Sequence, residues 1–286
     1  MSFVSRLVVY GLLLIIVLVS TGCGGLNLGS VWRTEPVTID GIPLEWKGAT
    51  TWVENPNVTI GVKNDDEYLY LCLASPVREI AAQIAMRGFI VWLDPEGKKG
   101  KTFGVRCPVG PAMGTGKPKE LSEVTRDRDK FMDMIVERLK GAGSVLEILG
   151  PDEDSSVRLT AGEAPGLDVA VGYYEGRVVY ELKVPFHRDD EHPFAIGGNG
   201  KGRIGVGFVT PEIKRDEMMS HADGERPAGG MMGGAPWGDA PAGDEMGGGP
   251  PPGRGPGTIQ QAVDIWGKIT LATAAMPQGD DSKSED

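Results

Sequence analysis

The sequence predicts an all-β fold, a β-sandwich of two antiparallel sheets. Two observations carry that expectation. Val58, Ile60 and Val62 alternate along one run, and Leu69, Leu71 and Leu73 alternate along the returning run, joined at Asn64-Asp65-Asp66. A second pair, Leu167–Tyr174 and Arg177–Val184, is joined by Glu175-Gly176. Period-two alternation bounded by turn residues is a hairpin pattern. The length of 286 residues accommodates one large β domain or two small ones.

The N-terminus precedes the fold. Arg6 supplies a positive region, and Leu7 to Val19 is an apolar run of 13 residues, the length of a signal-peptide core and short for a membrane span. It ends at Ser20-Thr21-Gly22-Cys23, which resembles a bacterial lipobox. That resemblance implies cleavage before Cys23, lipid on its sulfur, and a soluble domain held at a membrane face. An ordinary cleaved signal or an uncleaved anchor is the alternative. Gly24-Gly25, with no Asp after the cysteine, resembles sorting to the outer membrane in a diderm. Residues 23–30 read as a tether, and 31–274 as the domain.

Within the domain, Val37–Ile39 reads as a strand turning at Asp40-Gly41, followed by Leu44-Glu45-Trp46. Val77–Arg87 is compatible with a short helix or an irregular crossing. Gly88–Leu93 reads as a buried strand ending in the turn Asp94–Gly97, and Thr102–Cys107 as another. Over 119–140 the period changes: Leu121, Val124, Phe131, Ile135 and Leu139 recur at helical spacing, predicting an inserted amphipathic helix packed on the core. Val145–Leu149, Ile204–Val209 and Ala262–Leu271 complete the strands. Residues 222–257 hold 13 Gly and 7 Pro in 36 positions, a composition that predicts a long disordered loop. The acidic tail 275–286 reads the same way.

The net charge of −11 argues against nucleic acid and against a basic patch on anionic lipid. Gly200-Lys-Gly-Arg-Ile-Gly205 matches GxGxxG, but a strand rather than a helix follows it. Gly114-Thr-Gly-Lys117 lacks the Ser or Thr of a P-loop. The acidic loops at Asp152–Asp154 and at Asp189, Asp190 and Glu191 are candidates for a structural Ca²⁺, with a solvated loop as the plainer reading. Met218, Met219, His221, Met231, Met232 and Met246 are soft ligands that could bind Cu(I), but their spacing does not repeat. No catalytic constellation is recognisable. Cys72 and Cys107 read either as a disulfide, which an exported compartment permits, or as two buried thiols.

As a set, Val37-Thr-Ile-Asp-Gly41…Glu45-Trp46, Asn64-Asp65-Asp66…Tyr68-Leu-Tyr70, Gly88–Asp94, Tyr180–Phe186 and Trp266-Gly-Lys-Ile-Thr-Leu271 resemble carbohydrate-binding module family 9 and its DOMON-like relatives over residues 31–274. A closer similarity is to bacterial lipoproteins that share the opening and an FGVR-like strand. The resemblance implies the sandwich and a non-catalytic glycan-binding function. The alternative is an envelope assembly protein that binds another protein. Some DOMON-like relatives bind haem, but no axial pair stands out. Sugar-binding members stack aromatic rings on the sugar. Trp52, least explained by the strand pattern, is the first candidate here, and Tyr174 at a hairpin tip the second. Each is also readable as a core or surface aromatic.

Overall fold

A computed structural model describes residues 25–109, 127–140, 142–151, 155–211 and 263–274. It contains thirteen strands: β1 Leu26–Gly29, β2 Val31–Trp32, β3 Thr50–Val53, β4 Val58–Asn64, β5 Tyr68–Ser75, β6 Phe89–Asp94, β7 Phe103–Cys107, β8 Val145–Leu149, β9 Ser156–Thr160, β10 Asp168–Tyr174, β11 Arg177–Pro185, β12 Arg203–Val209 and β13 Asp264–Thr270. Among the described residues two α-helices accompany them, α1 Arg78–Arg87 and α2 Arg128–Leu139.

The strands form two sheets. Sheet A runs β1-β13-β12-β6-β7-β8-β9, and sheet B runs β10-β11-β5-β4, with β2 and β3 sharing the far edge of β4. The fold is therefore the expected all-β sandwich, with one correction. Both sheets are mixed, because β1 runs parallel to β13 and β2 parallel to β4. The cause is the N-terminal segment. Leu26–Gly29, read from sequence as a tether, lies in sheet A, and Val31–Trp32 continues in the same direction in sheet B. One short stretch thus ties the two sheets together.

The alternating residues fall as expected. Val58, Ile60, Val62, Leu69, Leu71 and Leu73 face inward and are buried, opposite Phe89, Val91, Leu93, Val206 and Phe208 of sheet A. At the tip of β10–β11, Glu175 and Gly176 both have positive φ (45° and 79°), the twist that suits a two-residue hairpin turn. α1 buries Ile80, Ala81, Ile84 and Ala85 and stops at Gly88, whose φ of 81° breaks the helix while its N–H still reaches the Ile84 carbonyl. α2 starts at Arg128, capped by the Asp127 carboxylate, and buries Ile135 and Leu139. Residues 119–126 of the expected helix, the Gly/Pro-rich stretch 222–257, Cys23 and the tail 275–286 lie outside the described residues. The chain leaves at Pro211 and returns at Val263, whose carbonyl accepts the Thr210 N–H, so the two ends of that long segment are adjacent.

Strand direction gives the sandwich two ends. Both ends of α1 and the start of β8 lie at one, and β1 runs away from it, with Leu26 opposite Gly267 in the middle of β13. The β4–β5 turn, the end of β11 and the start of β10 lie at the other.

Candidate functional site

The outer face of sheet B is where sequence and structure part most informatively. Val37–Ile39 is not a strand. Residues 36–46 form a strap that crosses this face and ends in a 3₁₀ turn at Pro43–Trp46. Its backbone donors go to a side chain rather than to a ladder. Glu181, fully buried on β11, accepts from Asp40 N (3.0 Å), Gly41 N (2.7 Å) and Trp46 Nε1 (2.6 Å). Burial raises the Glu181 pKa above the ordinary range, against the pull of these donors. Two strand glycines make room for the strap. A Cβ at Gly61 would lie 2.6 Å from the Trp46 ring, and one at Gly172 would lie 2.5 Å from the Gly41 carbonyl oxygen. The Asp-Gly…Glu-Trp motif is therefore a clamp. Trp46 lies over Gly61 on the outside of sheet B, in a cluster with Tyr70, Cys72, Ala74 and Val179.

Beside the strap, at the end of the sandwich away from α1, lies an open groove of about 360 Å³. That is the small end of the roughly 300–1,000 Å³ range of ligand sites. Pro36, Val37 and Ile39 form one wall, Asp168 and Val169 another, and Arg33, Tyr70 and Lys183 the floor. Register explains the gathering: Asp168 faces Lys183, Lys183 faces Tyr70, and Tyr70 faces Lys63, one outward row across four adjacent strands. Arg33 arrives just after β2 and pairs through Nε with Asp65 Oδ2 at 2.6 Å. Asp65 also accepts from Glu67 N, Tyr68 N and Tyr70 Oη, so the β4–β5 turn and the groove share one carboxylate. Burial opposes its charge, yet these bonds hold its pKa below the ordinary carboxylate range. Burial first, and then the Asp65 charge, push the Tyr70 phenol well up. At the rim, Tyr68 Oη lies 3.0 Å from His192 Nε2, and His192 Nδ1 lies 3.4 Å from Asp189.

The residues singled out from sequence are not brought together. Trp52 is 64% exposed on β3, its indole N–H on Asn57 Oδ1. Tyr174 is half-buried on β10, against the strap cluster. Both face outward on sheet B, but on opposite edges, four strand spacings or about 19 Å apart. Asp190 and Glu191 are exposed, and Asp189 is turned onto the His192 N–H at 2.6 Å. Among the described residues, no group of three or more His, Cys, Asp or Glu is placed to hold a metal. Residues 152–154 and the methionines at 218–246 lie outside the described residues. Cys72 and Cys107 form no disulfide. Cys72 faces the strap cluster, whereas Cys107 faces the core between the sheets and donates to the Ala142 carbonyl. Burial raises both thiols, Cys107 to about 12.

Sequence reasoning missed Arg33, Asp168 and Lys183. A signal was present: Lys183 alternates with Val184 and Leu182 on β11 just as Tyr70 does with Leu69 and Leu71 on β5. A second hollow of about 560 Å³, lined largely by apolar residues such as Phe103, Ile148 and Phe194, lies at the same end. It has few groups that could orient a polar ligand. No model of a known protein family matches the chain, and a search of curated proteins finds no match.

Proposed function

We propose that this chain is a lipid-anchored envelope protein whose non-catalytic sandwich binds a glycan on the outer face of sheet B, as its resemblance to carbohydrate-binding module family 9 and DOMON-like domains implies. The groove carries this reading. One apolar wall, of Pro36, Val37 and Ile39, beside a floor of hydrogen-bonding side chains matches a sugar, which has an apolar C–H face and a polar rim. The position of the groove fits an anchor at Cys23. β1 starts at Leu26, within about 11 Å of extended chain from that cysteine, and runs parallel to β13 toward the end of the sandwich where the groove lies. In a diderm the outer membrane is the expected location.

The test is a thermal-shift screen against mono-, oligo- and polysaccharides. A ligand of the native state at 100 times its Kd adds about 2.7 kcal/mol and raises the melting temperature. A saccharide-specific shift lost on Lys183→Ala supports the reading, and a flat response to a broad panel counts against it. One observation favours a second reading, a protein partner in the envelope. Val31 and Trp52 are both exposed at the β4 edge of sheet B. A stoichiometric partner recovered from native envelope, and lost on Trp52→Ala, would support it.

A further inference from the structure

The rings of Tyr70 in the groove and Tyr68 at its rim are already covered. The Arg33 guanidinium carbon lies 5.4 Å from the Tyr70 centroid, and the Lys183 ammonium lies 4.3 Å from that of Tyr68, both within cation–π range. A sugar therefore meets the cations rather than bare ring faces. The charges are also unevenly spent. Asp65 accepts four hydrogen bonds, from Glu67 N, Tyr68 N, Tyr70 Oη and Arg33 Nε. Arg33 uses only Nε, and its two terminal nitrogens have no partner among the described residues. Lys183 makes one bond, at 3.3 Å, to the exposed Asp168. On a chain of net charge −11, two cations thus stand in the groove floor, Arg33 paired with Asp65 and Lys183 paired with Asp168. A guanidinium with its terminal N–H groups unspent has the geometry to grip a carboxylate through two parallel bonds.

Resting on the glycan reading of the groove, we propose that it selects saccharides that carry a carboxylate, of the uronic acid class. The carboxylate takes the terminal guanidinium nitrogens of Arg33 and the ammonium of Lys183, and the ring lies against Pro36, Val37 and Ile39. The test is calorimetric titration of the full chain, in a detergent without a sugar headgroup. The probes are oligogalacturonate and oligoalginate, each beside its methyl ester, which keeps the ring and removes the charge. Acid is expected to bind about tenfold or more tighter than ester, the scale of a charge-assisted hydrogen bond. Arg33→Lys, which keeps the charge and loses the fork, and Lys183→Gln should each shrink that gap with little change in melting temperature. Equal affinity for acid and ester overturns the proposal and leaves the glycan reading standing. A preference untouched by both substitutions also overturns it. Absence of binding to these probes and to every neutral saccharide overturns both.

Discussion

Glu181 is the residue on which the outer face of sheet B depends, since one carboxylate satisfies three donors of the strap. Truncation would leave the Gly41 N–H and the Trp46 indole N–H buried without partners, at about 1–3 kcal/mol each. Glu181→Ala is therefore expected to cost roughly 3 kcal/mol or more in urea denaturation. A loss below about 0.5 kcal/mol, the level of ordinary surface substitutions, would mean the strap is held by something else. Asp65 makes a pH prediction. Its folded pKa lies below the unfolded value of about 3.9, so folding favours its ionised form. The stability it contributes is complete above that value and is lost as pH falls through the lower folded value. Across pH 5 to 2 the urea midpoint of Asp65→Asn should fall less than that of the native chain, and parallel curves would contradict the assignment. Neither role was legible in the sequence. Asp65 reads as a turn residue and is one, but its bonds to Arg33 and Tyr70 depend on where β2 and β5 come to lie.

At the level of elements, the hairpins β4–β5 and β10–β11 were readable because one buried face imposes a period of two. The strap was misread for a related reason. Val37 and Ile39 alternate like a strand and pack together on the outer cluster, but the strap's hydrogen-bond partner lies about 140 residues away in sequence. β9 escaped notice because Ser-Val-Arg-Leu-Thr is an exposed edge with no buried face to impose a pattern. The contact of Gly41 on Gly172 is backbone to backbone, so it cannot yield as a flexible side chain would. Gly172→Ala should therefore lift the strap, at a cost of about 1–3 kcal/mol, and speed amide exchange at Gly41. Exchange at native rates would show that the two chains do not pack this closely.

For the molecule as a whole, the sandwich class followed from composition and alternation, whereas its mixed sheets did not. Leu26–Gly29 is short and looks like linker, and only pairing with β13, more than 200 residues later, makes it a strand. The groove was hidden for the same reason, since Arg33, Tyr70, Asp168 and Lys183 meet only after sheet B is assembled. The most direct test of the groove as the ligand face is hydrogen–deuterium exchange of the full chain, with and without the saccharide giving the largest thermal shift. The expected result is protection confined to residues 33–39, 68–70, 168–169 and 183. Protection on sheet A, or at the β4 edge around Trp52, with none in these segments, would contradict the assignment.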